Sequence, residues 1–95
     1  MHDCLFCRQP GGELLWSAAQ CRIIWPKDRD YAGLLRVAWQ AHVKEMSDLE
    51  PEQRSHLMQV VFATESVLRA VLQPDKMNLA SFGNVVPHLH WHVIP

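Results

Sequence analysis

The sequence lacks several features that would define a class of protein at once. It has no apolar run near the ~20 residues of a membrane-spanning helix, and its N-terminus has no basic segment followed by an apolar one. Its 9 Lys and Arg residues against 10 Asp and Glu residues leave a net charge of −1. The 3 cysteines are too few, and odd in number, for a disulfide framework. We therefore expect a protein of the reducing cytoplasm, with neither a membrane nor a nucleic acid as partner.

What is present is a short chain of globular composition. Its 95 residues are 48% hydrophobic and 20% charged, which is typical of one folded domain over residues 1–95. A chain of this size buries only roughly two-thirds of the surface that it exposes when unfolded. Because the core is thin, a structural metal or a second subunit would add stability.

The pattern of apolar residues predicts the order of elements. Residues 1–12 are expected to form a loop, and strands are predicted over residues 13–16, 21–25, 34–39, 77–82 and 85–94. Gly83-Asn84 should turn between the last two strands. One helix of about six turns should be capped by Asp48 and end near Gln73-Pro74. The order β-β-β-α-β-β predicts an α+β fold, with the long helix packed on a mainly antiparallel sheet of about five strands.

Apolar side chains recur every three to four residues along the predicted helix. The stripe consists of Leu57, Val60, Val61, Thr64, Val67, Leu68 and Val71. Such a stripe usually faces the protein core. We expect it to do so here, with subunit contact as the alternative for part of it.

Three histidines near the end of the chain are the most unusual feature. His88, His90 and His92 alternate with apolar residues, so they would share one face of the last predicted strand. Imidazoles cannot fill an apolar core without hydrogen-bond partners. A row of solvated side chains is one interpretation. Metal ligation and nucleophilic or acid–base chemistry are the others, because histidine suits both near neutral pH.

A Cys-x-x-Cys pair lies near the other end of the chain. Cys4 and Cys7 could be a redox pair, half of a zinc site or reduced thiols without metal. Redox chemistry is disfavoured because no βαβ pattern surrounds the pair. A zinc site needs two more ligands, to be found among the histidines and Cys21. His42, after the third strand, and His88 would complete a closed Cys₂His₂ tetrahedron that also stabilises the thin core.

Together these segments resemble the histidine triad (HIT) superfamily of nucleotide hydrolases and transferases. The segment His88-Leu89-His90-Trp91-His92-Val93-Ile94 is similar to the family signature of three histidines that alternate with apolar residues. Cys4-Leu5-Phe6-Cys7 resembles the N-terminal pair of the zinc-containing members. Residues 35–43, which end in His42-Val43, and Asp48-Leu49 before the long helix also resemble the family.

The resemblance implies a role for each histidine. His90 would be the nucleophile that attacks an α-phosphate and forms a nucleotidyl-histidine intermediate, with an Nδ1–H hydrogen bond to a backbone carbonyl fixing its tautomer. His92 would lie near the phosphate and leaving group. His88 would bind a structural Zn²⁺ with Cys4, Cys7 and His42, and no organic cofactor is implied. Family members are commonly homodimers, so a homodimer is expected.

The resemblance also implies residues that bind the nucleotide. Asn78 would contact the phosphate or leaving group, and Gly83 and Asn84 would bring backbone close to the phosphate, although a simple hairpin turn explains them equally well. Ile23 and Trp25 are candidate contacts of the base, with core packing as the alternative. Asp28 is the candidate ribose acceptor, with a solvated loop as the alternative.

Several positions depart from the family pattern. Val85 replaces a common Ser, Trp39-Gln40 replaces Pro-Lys, and Pro26-Lys27 disturbs the usual ribose-binding position. The favoured function is cleavage of a phosphoramidate, dinucleoside polyphosphate or similar NMP-X compound. A nucleotide-binding or interaction protein with little turnover is the main alternative, and a hydrolase with a catalytic metal on a His-x-His pair is a third. The family normally continues beyond the final Pro, so we expect a short C-terminal tail to be missing.

Overall fold

A five-stranded antiparallel sheet forms the centre of the computed structural model, which describes residues 4–95. Its strands are β1 (Glu13–Ser17), β2 (Cys21–Trp25), β3 (Leu35–Trp39), β4 (Asn78–Ala80) and β5 (His90–Ile94). They pair in the order β1-β2-β3-β5-β4, so β1 and β4 are the edges. The predicted α+β architecture is confirmed.

One long helix packs on the sheet. This helix, α2 (Pro51–Leu72), begins at Glu50, not at Asp48 as predicted, because Glu50 and Gln53 form a reciprocal capping box. Asp48 instead closes a short 3₁₀ turn (Met46–Asp48), where its carboxylate accepts from the Glu45 N–H. The helix ends where Gln73 adopts a left-handed conformation before Pro74. None of the helices described for residues 4–95 is long and apolar enough to cross a membrane.

Other predicted element boundaries also differ from the structure. The segment expected as a loop contains a one-turn helix, α1 (Leu5–Arg8), which begins directly after Cys4 and includes Cys7. Gly11 follows it with φ +99°, and a Cβ there would overlap the Phe6 ring. The last strand begins at His90, not at residue 85, so His88 precedes the strand and is placed by its own contacts.

The sheet buries apolar side chains on both faces. On one face, α2 covers the main core, and the buried helix residues are Leu57, Val61, Thr64 and Leu68. The expectation for the helix stripe is therefore met in part, because Val67 and Val71 remain 61% and 71% exposed. On the other face, Cys4, Phe6 and Ile24 form a smaller cluster under α1. This second face carries the histidines.

Candidate active site and metal centre

His90 and His92 lie side by side on the face of β5 opposite α2. Trp91 and Val93 pack into the core beneath α2, so strand alternation directs the two histidines to the other side. Their ring centroids are 5.0 Å apart. This part of the predicted shared face is present in the structure.

The ring of His90 is held in one tautomer by the backbone. Its Nδ1 lies 2.6 Å from the carbonyl oxygen of His88, so Nδ1–H donates and Nε2 keeps its lone pair. This is the hydrogen bond that the sequence analysis expected. Phe6 covers the ring at a centroid distance of 4.7 Å. Burial lowers the pKa of His90, which keeps the ring neutral and Nε2 available as a nucleophile.

The neighbouring ring of His92 is also kept neutral. Burial first, and then the charges of His90 and Arg36, lower the pKa of His92 to about 4, against a smaller opposing effect of Asp28. A neutral imidazole has one donor and one acceptor nitrogen. It can therefore donate a hydrogen bond to a phosphate oxygen or a leaving group at neutral pH.

We expect His92 to titrate near pH 4 and not near its ordinary pKa of 6.5. The unfolded chain takes up this proton near pH 6.5, so the free energy of unfolding should fall as the pH drops from about 6.5 to about 4. An NMR titration of the imidazole C2–H signals, assigned with His92→Gln, measures the midpoint. A midpoint near 6.5 would contradict the buried, charge-flanked environment.

Beside the histidine pair lies a cluster of four metal-ligating side chains. The ligand atoms of Cys4, Cys7, His42 and His88 all lie within 4.8 Å of one another. His88 Nδ1 is 3.2 Å from Cys4 Sγ and 3.6 Å from Cys7 Sγ, and His42 Nδ1 is 3.4 Å from Cys7 Sγ. A tetrahedral zinc with ordinary bond lengths separates its sulfur and nitrogen ligands by about 3.5 Å. The spacing of these residues fits such an ion.

The surroundings of His88 also suit a metal ligand. Its Nε2 lies 2.5 Å from the carbonyl oxygen of Trp39, so the proton resides on Nε2 and Nδ1 faces the thiols with a free lone pair. Burial lowers the pKa of His88, which keeps the ring neutral as metal binding requires. Four protein ligands would leave no open position, which is the arrangement of a structural site.

The guanidinium of Arg22 attaches α1 and its flanking turn to the sheet. It donates to the carbonyl oxygens of Phe6 at 2.7 Å and Pro10 at 3.1 Å, and to the side-chain oxygen of Gln40. Arg22 thus positions the segment that carries both cysteines. Arg22 was not among the predicted site residues, although a charged residue within the apolar strand Cys21–Trp25 was a usable signal.

His90 borders two adjoining cavities, and His92 borders one of them. One of about 680 Å³ is lined by parts of residues 44–47, 81–84 and 88–90, and one of about 440 Å³ by both histidines, Arg36, Phe6 and parts of residues 82–86. Gly83 borders the first cavity and Asn84 borders both. The structure therefore brings these two predicted residues to His90.

The remaining predicted nucleotide contacts are more distant. Ile23 packs under α2, and strand alternation places Trp25 on the same side of the sheet, so the structure does not bring them to His90. Asp28 caps its own loop by accepting from the Asp30 and Tyr31 N–H groups, yet it is near enough to influence His92. Asn78 is exposed on edge strand β4, opposite Ile94, and does not line either cavity.

A third cavity, of about 470 Å³, lies beneath α2 on the opposite face of the sheet. It is almost entirely apolar, and its lining includes Ile23, Trp16 and Val67. His56 is the titratable group there, and its Nε2 is 3.9 Å from Cys21 Sγ. The cavity faces away from the histidine pair, so the chemistry of the site belongs to the other two.

The fold and the site define a small α+β domain in which a histidine of backbone-fixed tautomer lies beside a cluster of two cysteines and two histidines. The family model described as the HIT domain matches residues 12–95, so the chain belongs to the HIT family. Cys4 and Cys7 precede the matched range. No curated protein matches the chain.

Solved structures carry the same fold. A histidine triad protein from Bradyrhizobium japonicum is 27% identical with a TM-score of 0.77, and the match covers 86% of this chain and 63% of that one. A histidine triad protein from Sinorhizobium meliloti is 27% identical with a TM-score of 0.80, covering 90% and 63%. A HIT family protein from Bacillus anthracis is 24% identical with a TM-score of 0.85, covering 98% and 72%. The chain thus spans less than two thirds of the first two proteins.

Proposed function

We propose that the protein is a nucleotidyl hydrolase or transferase that cleaves an NMP-X substrate through a covalent intermediate on His90. One observation carries this proposal. The hydrogen bond from Nδ1–H of His90 to the His88 carbonyl leaves Nε2 unprotonated at the wall of a cleft. A buried imidazole with a fixed tautomer needs no separate base before it attacks.

The reaction that we propose has two displacements. In the first, the Nε2 lone pair of His90 attacks the α-phosphorus, and the bond from phosphorus to X breaks with its electron pair on X, which takes a proton from solvent. In the second, water attacks the same phosphorus and loses a proton to solvent. The phosphorus–nitrogen bond then breaks and its electron pair returns to Nε2. The sum converts NMP-X and water into NMP and HX, or into NMP-Y when another acceptor replaces water.

The other groups at the cleft support this proposal by position. His92, kept neutral, would donate to a phosphate oxygen or to X, and Gly83 and Asn84 would approach the phosphate with their backbone. Asp28 is the proposed ribose acceptor because of its proximity to His92. Asn78 could contact the substrate only where the substrate extends toward edge strand β4.

We propose that the four-residue cluster binds a structural Zn²⁺. Its ligand spacing and the tautomer of His88 support this assignment. When bound, the ion would hold together α1, the segment after β3 and the segment before β5. Within residues 4–95, no group of three or more closely spaced potential metal ligands includes His90 or His92. This disfavours a catalytic metal at the histidine pair. The 3 free thiols agree with a reducing cytoplasm.

Covalent trapping tests this function. The protein is mixed with an adenylyl donor, such as adenosine 5′-phosphoramidate or a dinucleoside polyphosphate, quenched rapidly and analysed by intact mass spectrometry. We expect one nucleotidyl group per chain, located on His90 by peptide mapping, and turnover without added metal. Tight nucleotide binding with no adduct and no turnover would instead support the binding-protein alternative.

We also propose a homodimer in which α2 and edge strand β4 form the interface. Support comes from the exposed apolar side chains of α2, which include Phe62, Val67 and Val71. The free edge of β4 offers unpaired backbone groups as a second candidate contact.

Sedimentation equilibrium should give twice the 11.0 kDa mass of the chain. Val71→Glu should shift the protein toward monomer, because it buries a charge in the interface. Val85→Glu, at a 94% exposed position outside α2, is the matched control and should leave the mass unchanged. A wild-type monomer at micromolar concentration would refute this interface.

A further inference from the structure

Arg36 projects from β3 onto the histidine face of the sheet. In the antiparallel register it lies opposite His92, whereas Ala38 lies opposite His90. On its other side Arg36 pairs with Ile24 of β2. Its side chain lines the 440 Å³ cavity together with both histidines. A cation is therefore built into the wall of the candidate active site.

The side chain of Arg36 is half-buried, and one of its nitrogens lacks a partner within the described residues. Its Nε is buried and has no hydrogen-bond partner among the described residues. No carboxylate of residues 4–95 forms a salt bridge with it. An arginine presents five N–H donors, and a buried donor without a partner is destabilising. The fold thus retains a cation at this position without supplying the anion that would compensate it.

The walls around Arg36 favour an anionic ligand over water. Phe6, Phe82 and Val86 give the cavity apolar sides, and no acidic residue lines it. Charge-assisted hydrogen bonds are stronger where water is partly excluded, and arginine matches phosphate and carboxylate oxygens with two parallel donors. Arg36 therefore has the chemistry of a binding group for a phosphate or a carboxylate.

The register separates this group from the nucleophile. Arg36 is two residues from Ala38 along β3, a displacement of roughly 7 Å by the rise of a strand. Ala38 lies opposite His90, and Arg36 lies opposite His92. An anion bound to Arg36 would therefore lie next to His92, on the far side of the phosphate that His90 attacks.

We propose that Arg36 binds a second anionic group of the substrate, adjacent to the phosphate that reacts with His90. This inference rests on the proposed function and specifies its substrate class. The leaving group X would carry a phosphate or a carboxylate, as in a nucleoside polyphosphate, and substrates with an uncharged amine as X would gain nothing from Arg36.

Calorimetric titration with AMP and ADP tests the inference, because the two ligands differ by one phosphate. Wild type should bind ADP more tightly than AMP. Arg36→Gln should weaken ADP binding roughly 10- to 100-fold, the range for a hydrogen-bonded charge pair, and AMP binding less than threefold. Arg36→Lys should restore part of the loss, since it keeps the charge without the planar donor pair. Arg69→Gln is the matched control: it removes an exposed arginine from α2 and should not change the preference for ADP.

Two results would overturn the inference. If Arg36→Gln weakens AMP and ADP equally, Arg36 contacts the reacting phosphate or acts only on the fold. If wild type binds the two nucleotides equally, no second anion is recognised. The binding experiment needs no turnover, so it is independent of covalent trapping. If the protein prefers ADP to AMP but forms no covalent adduct, only the proposed reaction is refuted. If it forms the adduct but binds AMP and ADP with equal affinity, only the role of Arg36 is refuted.

Thermal stability separates a ligand-binding role from a structural one. Because Arg36 is half-buried and its buried Nε has no partner among the described residues, Arg36→Met should raise the Tm by roughly 5 °C in the absence of nucleotide. A fall of similar size would show that the guanidinium stabilises the fold, and would contradict its assignment as a group kept for a ligand.

Discussion

Replacing His90 with alanine should lower the rate of NMP-X cleavage by roughly 10⁴-fold or more, because losses of this order follow removal of a covalent nucleophile. The nucleotidyl adduct should disappear with the activity. His92 should not substitute, since no hydrogen bond within residues 4–95 fixes its tautomer as the His88 carbonyl fixes that of His90. Initial rates and intact mass spectrometry measure the two effects.

Controls separate lost chemistry from lost structure. His90→Asn keeps more of the side-chain volume beside Phe6 and should be equally inactive, so a cavity cannot explain both variants. His56→Gln replaces a histidine on α2, beneath the opposite face of the sheet, and should retain activity. Adduct formation by His90→Ala, or normal turnover, would contradict a nucleophilic role.

On the proposal that Cys4 is a ligand of a structural zinc ion, its loss should strongly destabilise the fold. Cys4→Ser replaces the buried thiol that lies 3.2 Å from His88 Nδ1. Structural zinc contributes on the order of 10 kcal/mol to folding, and the total stability of a domain is about 5–15 kcal/mol. We therefore expect one zinc per chain in wild type, none in Cys4→Ser, and a Tm lower by roughly 20 °C or more. Elemental analysis and circular dichroism melting measure these outcomes.

Cys21→Ala is the matched control for this experiment. Cys21 is also buried, but it lies beneath α2 and outside the metal cluster. The variant should keep its zinc and lose only the modest stability of a buried side-chain atom. Wild-type protein without zinc, or a Cys4→Ser variant with unchanged Tm, would contradict a structural metal.

The strands and the long helix could be placed along the chain because apolar residues and turn residues mark them. Cys21–Trp25 is a short, mostly apolar segment ended by Pro26, and the helix Pro51–Leu72 has apolar residues every three to four positions, so both were predicted close to where the structure has them. The one-turn helix Leu5–Arg8 has no such period, and it is fixed by tertiary contacts such as those of Arg22. The last strand was predicted too long, because the alternation of apolar and polar residues begins before the first residue of β5.

The site was predictable only where residue type determined chemistry. Cysteine and histidine are rare enough to indicate a metal cluster, and the structure brings those four residues together. The apolar Ile23 was an ambiguous candidate, and the register places it under α2. Arg36 could not be recognised from the sequence as a ligand group, since its missing partner is visible only when its neighbours are known.

His88 links the two halves of the site through a single residue. Its ring contacts the thiols, and its own carbonyl oxygen accepts the hydrogen bond that fixes His90. Because the ring and the carbonyl belong to one residue, a shift of the His88 backbone changes the geometry of the ligand cluster and of His90 together. Under the proposed function, the cluster and the nucleophile therefore form one mechanical unit, and a substitution at His88 cannot alter one of them while leaving the other unchanged.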